Sequence, residues 1–109
     1  MASIDQLSEK EQEILEIIKT VPDPEVNVNI VDLGLIYEVS LDEENKQIHI
    51  VMTLSARGCP VGDTIIQHVQ TVVSNMYPGY YVDVDLVWEP QWNPSMITED
   101  GRAQLDGGF

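Results

Sequence analysis

Cysteine occurs once in this 109-residue chain, at Cys59. A disulfide within one chain is excluded, and so is a zinc cage built from cysteines alone. Cations are also scarce. Five Lys and Arg stand against 19 Asp and Glu, a formal charge of −14 at pH 7. With no Lys/Arg cluster, the basic footprint of a nucleic-acid binder is missing, and an anionic membrane surface is disfavoured for the same reason. The charge suits a partner with a basic face, although many of these acids read simply as the solvated sides of helices and turns. No apolar run is long enough to cross a membrane. Met1-Ala2-Ser3-Ile4-Asp5 lacks the basic and apolar regions of a signal peptide, so the cytoplasm is the expected compartment.

The hydrophobic fraction of 43% supports one folded domain over residues 1–109. Ser8-Glu9-Lys10-Glu11 has the form of a capping box. Behind it, Ile14, Leu15, Ile18 and Val21 recur at helical spacing up to Pro22. Asn27, Asn29, Asp32 and Gly34 punctuate the following stretch, which reads as a loop. Leu35, Tyr37, Val39 and Leu41 then alternate toward one face. Ile48, Ile50, Met52 and Leu54 repeat the pattern after the polar turn Asp42–Lys46, predicting an antiparallel hairpin. His49 and Thr53 fall on the opposite, more solvated face. A second helix is expected after Cys59-Pro60, with Ile65, Val69, Val72, Val73 and Met76 as its apolar stripe. A third strand runs from Tyr80 to Trp88. A strand–helix–strand crossover of this length favours parallel pairing. The expected fold is therefore α+β in two layers: a mixed three-stranded sheet with two main helices on one face. Thr98 caps a short last helix beginning Glu99-Asp100.

Cys59 is the leading chemical candidate. Gly58 permits close backbone approach, and Pro60 suits the first position of a helix. A cysteine at a helix N-terminus gains thiolate character, which Arg57 reinforces if it turns inward. Such a thiolate is a soft-metal ligand or a nucleophile. The competing reading is a buried, inert cysteine. Asp23, Glu25 and Asp32 are candidate ligands or orienting groups, against the simpler role of bonding turn amides. Thr53 and Ser55 approach the Cys59 turn and can donate to a thiolate or satisfy loop backbone. His49 and His68 form no spaced ligand set. Trp88 reads as core cover, whereas Trp92 is either cover or a recognition surface.

Several segments together resemble the SufT/PaaD-like iron–sulfur cluster assembly domain family. They are Asp23-Pro24-Glu25, Val28 to Tyr37 with Asp32-Leu33-Gly34 at its centre, Met52-Thr53-Leu54-Ser55, Gly58-Cys59-Pro60, and Val87-Trp88-Glu89-Pro90 with Trp92. The resemblance runs from about Ser8 to Leu105. It implies a compact α/β domain, a role in maturing or delivering clusters, Cys59 as the reactive cysteine, and Asp23, Glu25, Asp32 and Thr53 as pocket residues. PaaD-like members carry a cysteine-rich C-terminal part that is not found before Phe109, so the SufT-like branch fits better. Arg57 stands where the family often has proline. Gly101 stands where a helix former is usual, so a short last helix is expected.

The resemblance implies an auxiliary factor in which Cys59 is a transient ligand for iron or a labile iron–sulfur cluster. One cysteine cannot ligate a whole cluster. Carboxylates, a small thiol, a client protein or a second copy in a homodimer would supply the rest. Assembly or client proteins are the expected partners. Two other readings stand beside it: an acidic adaptor that binds no metal, and a thiol enzyme.

Overall fold

The computed structural model describes residues 2–3, 8–23, 27–54 and 62–107. Its element order is β1 (Ala2–Ser3), α1 (Glu9–Ile18), β2 (Pro22–Asp23), β3 (Val28–Asn29), β4 (Ile36–Asp42), β5 (Gln47–Met52), α2 (Gly62–Met76), β6 (Tyr81–Leu86), a 3-10 turn (Pro94–Met96) and α3 (Glu99–Gly107).

The capping box forms as expected. The Ser8 hydroxyl accepts from the Glu11 amide at 3.3 Å, and the Glu11 carboxylate accepts from the Ser8 amide at 3.0 Å. The other Glu11 oxygen accepts from the Leu41 amide at 3.0 Å, tying the start of α1 to β4. The helix ends at Ile18, four residues before the proline expected to stop it. Lys19 is the C-cap, and the Thr20 hydroxyl takes the Ile17 carbonyl at 2.7 Å.

β4 and β5 pair antiparallel across the Asp42–Lys46 turn, and β5 and β6 pair parallel. These are the three expected strands in the expected order. Two features add to them. The two-residue β1 extends the sheet beyond β4, giving the order β1-β4-β5-β6. β2 and β3 form a separate antiparallel ribbon in the stretch read as loop, with Asn27 turning at φ 59°. Asn is among the few residues that adopt this conformation readily.

One face of the sheet carries Ile36, Val39, Ile48, Ile50, Met52 and Val82 into the core, where Ile14 and Ile18 of α1 and Ile65, Val69 and Val73 of α2 meet them. Burial of each such side chain contributes about 1.5–3 kcal/mol. The expected alternation in β4 breaks at Tyr37. Ile36 pairs with Met52 but Glu38 pairs with Val51, so one residue is extra. A bulge of this kind re-aims a side chain. Tyr37 leaves the Val39 face and reaches the C-terminal segment instead. α2 also departs from its expected stripe: Met76 is 60% exposed, and Val72 is only partly buried.

Candidate functional site

Backbone hydrogen bonds step inward from the end of β5. The Thr53 amide donates to the Leu35 carbonyl at 2.8 Å, Leu35 to Ile30 at 3.1 Å, and Ile30 to Val21 at 3.0 Å. This series seats the β2–β3 ribbon and the Asn29–Gly34 loop beside the end of β5, where the chain enters residues 55–61. Asp23 and Thr53, far apart in sequence, are thereby held on connected backbone. Asp23 is 6% exposed, and its carbonyl accepts from the Asn27 amide at 2.8 Å, closing the ribbon turn.

Asp32 is the hub of the loop and is 8% exposed. One carboxylate oxygen accepts from the Asn29 side-chain amide at 2.7 Å. The other accepts from the Thr98 hydroxyl at 3.0 Å. The Asn29 side-chain oxygen in turn takes the Asp32 amide at 2.9 Å. The Asp32 backbone carbonyl accepts from the Thr98 amide at 2.8 Å. Thr98 also caps α3 as expected, its hydroxyl oxygen accepting from the Gly101 amide at 3.0 Å. One threonine thus fastens the last helix to the loop and satisfies a buried carboxylate, which would otherwise carry a large desolvation cost.

Two glycines make this contact possible. Gly34 has φ 80°, and a Cβ there would collide with the Met96 carbonyl oxygen and lie 2.8 Å from the Met96 Cβ. Gly101 packs on the loop from the other side: its Cβ would lie 2.7 Å from the Asp32 carbonyl oxygen. Gly101 is therefore a close-approach residue. The last helix is short, as expected, at nine residues, Glu99–Gly107.

Thr53 is fully buried, contrary to its expected place on a solvated face. The C-terminal segment explains this. After the Val87 amide bonds the Met52 carbonyl at 2.9 Å, the chain folds back over this end of the sheet. The Tyr37 phenol, turned outward by the bulge, donates to the Pro90 carbonyl at 2.7 Å and has the Thr53 side chain as a hydrogen-bond partner. Burial pushes the Tyr37 phenol above its ordinary pKa, the Thr53 bond works against that, and nearby Glu89 adds to the rise. Trp92 is resolved as a fastening: its indole donates to the Leu33 carbonyl at 2.7 Å and it packs against the core. Trp88 likewise packs against the core.

Of the expected site residues, Asp23, Asp32 and Thr53 are thus placed. Glu25, Ser55, Arg57, Gly58 and Cys59 lie outside the described residues, as does Pro60 at its expected helix start. Among the described residues, no group of three His, Cys, Asp or Glu side chains could hold a metal ion. His68 is exposed on α2. His49 lies 3.6 Å from an Asp83 oxygen and 3.9 Å from an Asp85 oxygen, ion-pair distances that are too long for hydrogen bonds. Sequence reading missed Asn29 and Tyr37 as site-shaping residues. The Asn29-x-x-Asp32 spacing was a usable signal for the first, because Asn and Asp three apart cap each other in turns. Nothing local marked Tyr37, whose position follows from the bulge.

The family model described as iron–sulfur cluster assembly protein matches residues 11–85, more than half of the chain. A protein of Porphyromonas gingivalis called Fe-S protein maturation auxiliary factor is 40% identical over 99 residues, covering 91% of each chain. The Fe-S protein maturation auxiliary factor SufT of Staphylococcus aureus is 38% identical over 83 residues, covering 76% of this chain and 93% of its own. A crystal structure from Bacillus anthracis, of a domain of unknown function, superposes with a TM-score of 0.81 at 34% identity, covering 87% of this chain and 90% of that one. By sequence and by fold, the chain belongs to the family of iron–sulfur cluster assembly proteins.

Proposed function

We propose that this protein is an auxiliary factor in the assembly or delivery of iron–sulfur clusters, with Cys59 as a transient ligand for iron or a cluster. The observation that carries this reading is the family match, which runs through Asp23, Asp32, Thr53 and Cys59 together. The geometry supports it by the way the loop is supported. The Asp32 hub, held by Asn29 and Thr98, and the backbone steps from Thr53 to Val21 fasten the loop and ribbon that carry Asp32 and Asp23 to the Thr53 end of β5. Asp32 accepts on both oxygens, and in this reading those bonds hold the loop in place. Cys59 supplies one thiolate, and the remaining ligands come from a small thiol, a client, a second copy or a nearby carboxylate. Incomplete ligation suits a factor that must release its cargo. Assembly proteins and their clients are its partners in this reading.

Anaerobic reconstitution with iron and sulfide tests it, comparing the intact protein with C59A after unbound metal is removed. A visible chromophore and bound iron in the intact protein, lost in the variant, are expected. A folded intact protein that binds no cluster, or a C59A variant that binds it equally, would count against Cys59 as the ligand.

A further inference from the structure

The α2 stripe is wider than the sheet can cover. Ile65, Val69 and Val73 are buried, while Val72 and Met76, one turn apart on the flank, are not. Ile17 of α1 is half-buried in the same way. These three residues floor a groove of about 540 Å³ between the two helices, with Glu13 and Glu16 on the α1 wall and Asn75 on the α2 wall. The volume lies within the range of roughly 300–1,000 Å³ that accommodates a small ligand or a short row of side chains. Single exposed apolar residues need no explanation, but a floor of three with an acidic wall is an organised surface.

We infer that this groove is a docking site for a basic amphipathic helix of a partner protein. The apolar floor between two helical walls suits the helix-in-groove mode, in which residues at i, i+3 or i+4, and i+7 supply the anchors. Charge selects the occupant. Glu16 has Lys19 at 3.5 Å, but Glu16 is exposed and Lys19 only half-buried, and such a solvent-screened pair offsets little of the field. With 19 acids against five cations in the whole chain, the groove attracts a helix whose flanks carry Lys or Arg. A second copy is disfavoured, because an isologous contact would set Glu13 and Glu16 against like charges. Anionic lipid is repelled for the same reason. None of the described residues lining this groove is among those proposed for the cluster, and docking here does not depend on a bound cluster.

The test uses a fluorescently labelled Leu/Lys helical peptide of about four turns and a scrambled peptide of the same composition. Both are titrated into the intact protein near physiological ionic strength. Four variants accompany it: Met76→Asp, the pair Glu13→Gln with Glu16→Gln, His68→Gln as a control on the exposed part of α2, and Cys59→Ala. The amphipathic peptide is expected to bind about tenfold or more tighter than the scrambled one, with Met76→Asp removing that margin. The glutamine pair should weaken binding and flatten its salt dependence. His68→Gln and Cys59→Ala should leave affinity unchanged, so failure here and failure of the cluster reading are distinguishable. Equal binding of the two peptides overturns the inference, and so does a Met76→Asp variant that binds normally. Concentration-dependent dimerisation abolished by Met76→Asp would also overturn it, by assigning the groove to a second copy. Met76 is exposed, so its replacement leaves the fold intact.

Discussion

Replacing Gly101 by alanine sets two opposed effects against each other inside α3. Alanine is the better helix former by about 1 kcal/mol. Against this, the new methyl would lie 2.7 Å from the Asp32 carbonyl oxygen and 2.9 Å from the Ile97 Cγ2. The isoleucine methyl can rotate away. The carbonyl cannot, because it is backbone and already accepts from the Thr98 amide at 2.8 Å. Overpacking against a fixed wall costs about 1–3 kcal/mol. The collision therefore outweighs the propensity, and a net loss of about 1 kcal/mol is expected, a fall in Tm of roughly 4–8 °C for a domain of this size. Urea denaturation and thermal melting measure the loss. Hydrogen exchange locates it, with faster exchange expected in α3 while α2 and β5 keep their protection. In a double-mutant cycle with Thr98→Val, which already loosens the fastening, the cost of the methyl should shrink. A variant as stable as the parent, or more stable, would refute the close-approach argument and restore the view of Gly101 as a weak link in its helix.

Thr98→Val removes both the cap of α3 and one partner of the Asp32 carboxylate; a loss of about 2–3 kcal/mol is expected, most of it recovered by Thr98→Ser, as denaturant titration would show. Glu11 bears on the acid limb. Partial burial pushes its carboxyl up, but bonds from the Ser8 and Leu41 amides and the Ser8 hydroxyl outweigh this and hold it below its usual value of 4.5. A carboxyl depressed on folding contributes stability above its unfolded value, and that contribution is lost as pH falls through the folded one. Glu11→Gln should therefore be less stable than the parent at neutral pH, with the difference shrinking below about pH 4.5. Melting curves across that window would contradict the assignment if the gap stayed constant.

The parts of the fold legible in the sequence were those with a local cause. The Ser8 box, the polar turn at Asp42–Lys46 and the Thr98 cap each depend on residues within one turn of each other, and each forms as read. The parts that were not legible depend on partners distant in sequence. Tyr37 changes face because of one extra residue in pairing with β5. Thr53 is buried because a segment some forty residues later covers it, an arrangement that alternation within β5 cannot encode. Gly101 looked like a poor helix residue because propensity is local, whereas its reason is a carbonyl on another loop. The same division applies to the candidate site. Asp32 in a turn was readable from spacing, but its second partner lies 66 positions away.

That separation bears on how the molecule is made. The Asn29–Gly34 loop leaves the ribosome well before Thr98. At synthesis rates of about 5–20 residues per second, 66 positions represent roughly 3–13 s. Throughout that interval the Asp32 carboxylate has no Thr98 and the Gly34 surface has no Met96 above it. Cys59 is synthesised inside the same window. The Asp32 carboxylate therefore gains its second partner only after Cys59 has been synthesised, and a nascent chain holds the cysteine before it holds the Thr98–Asp32 fastening.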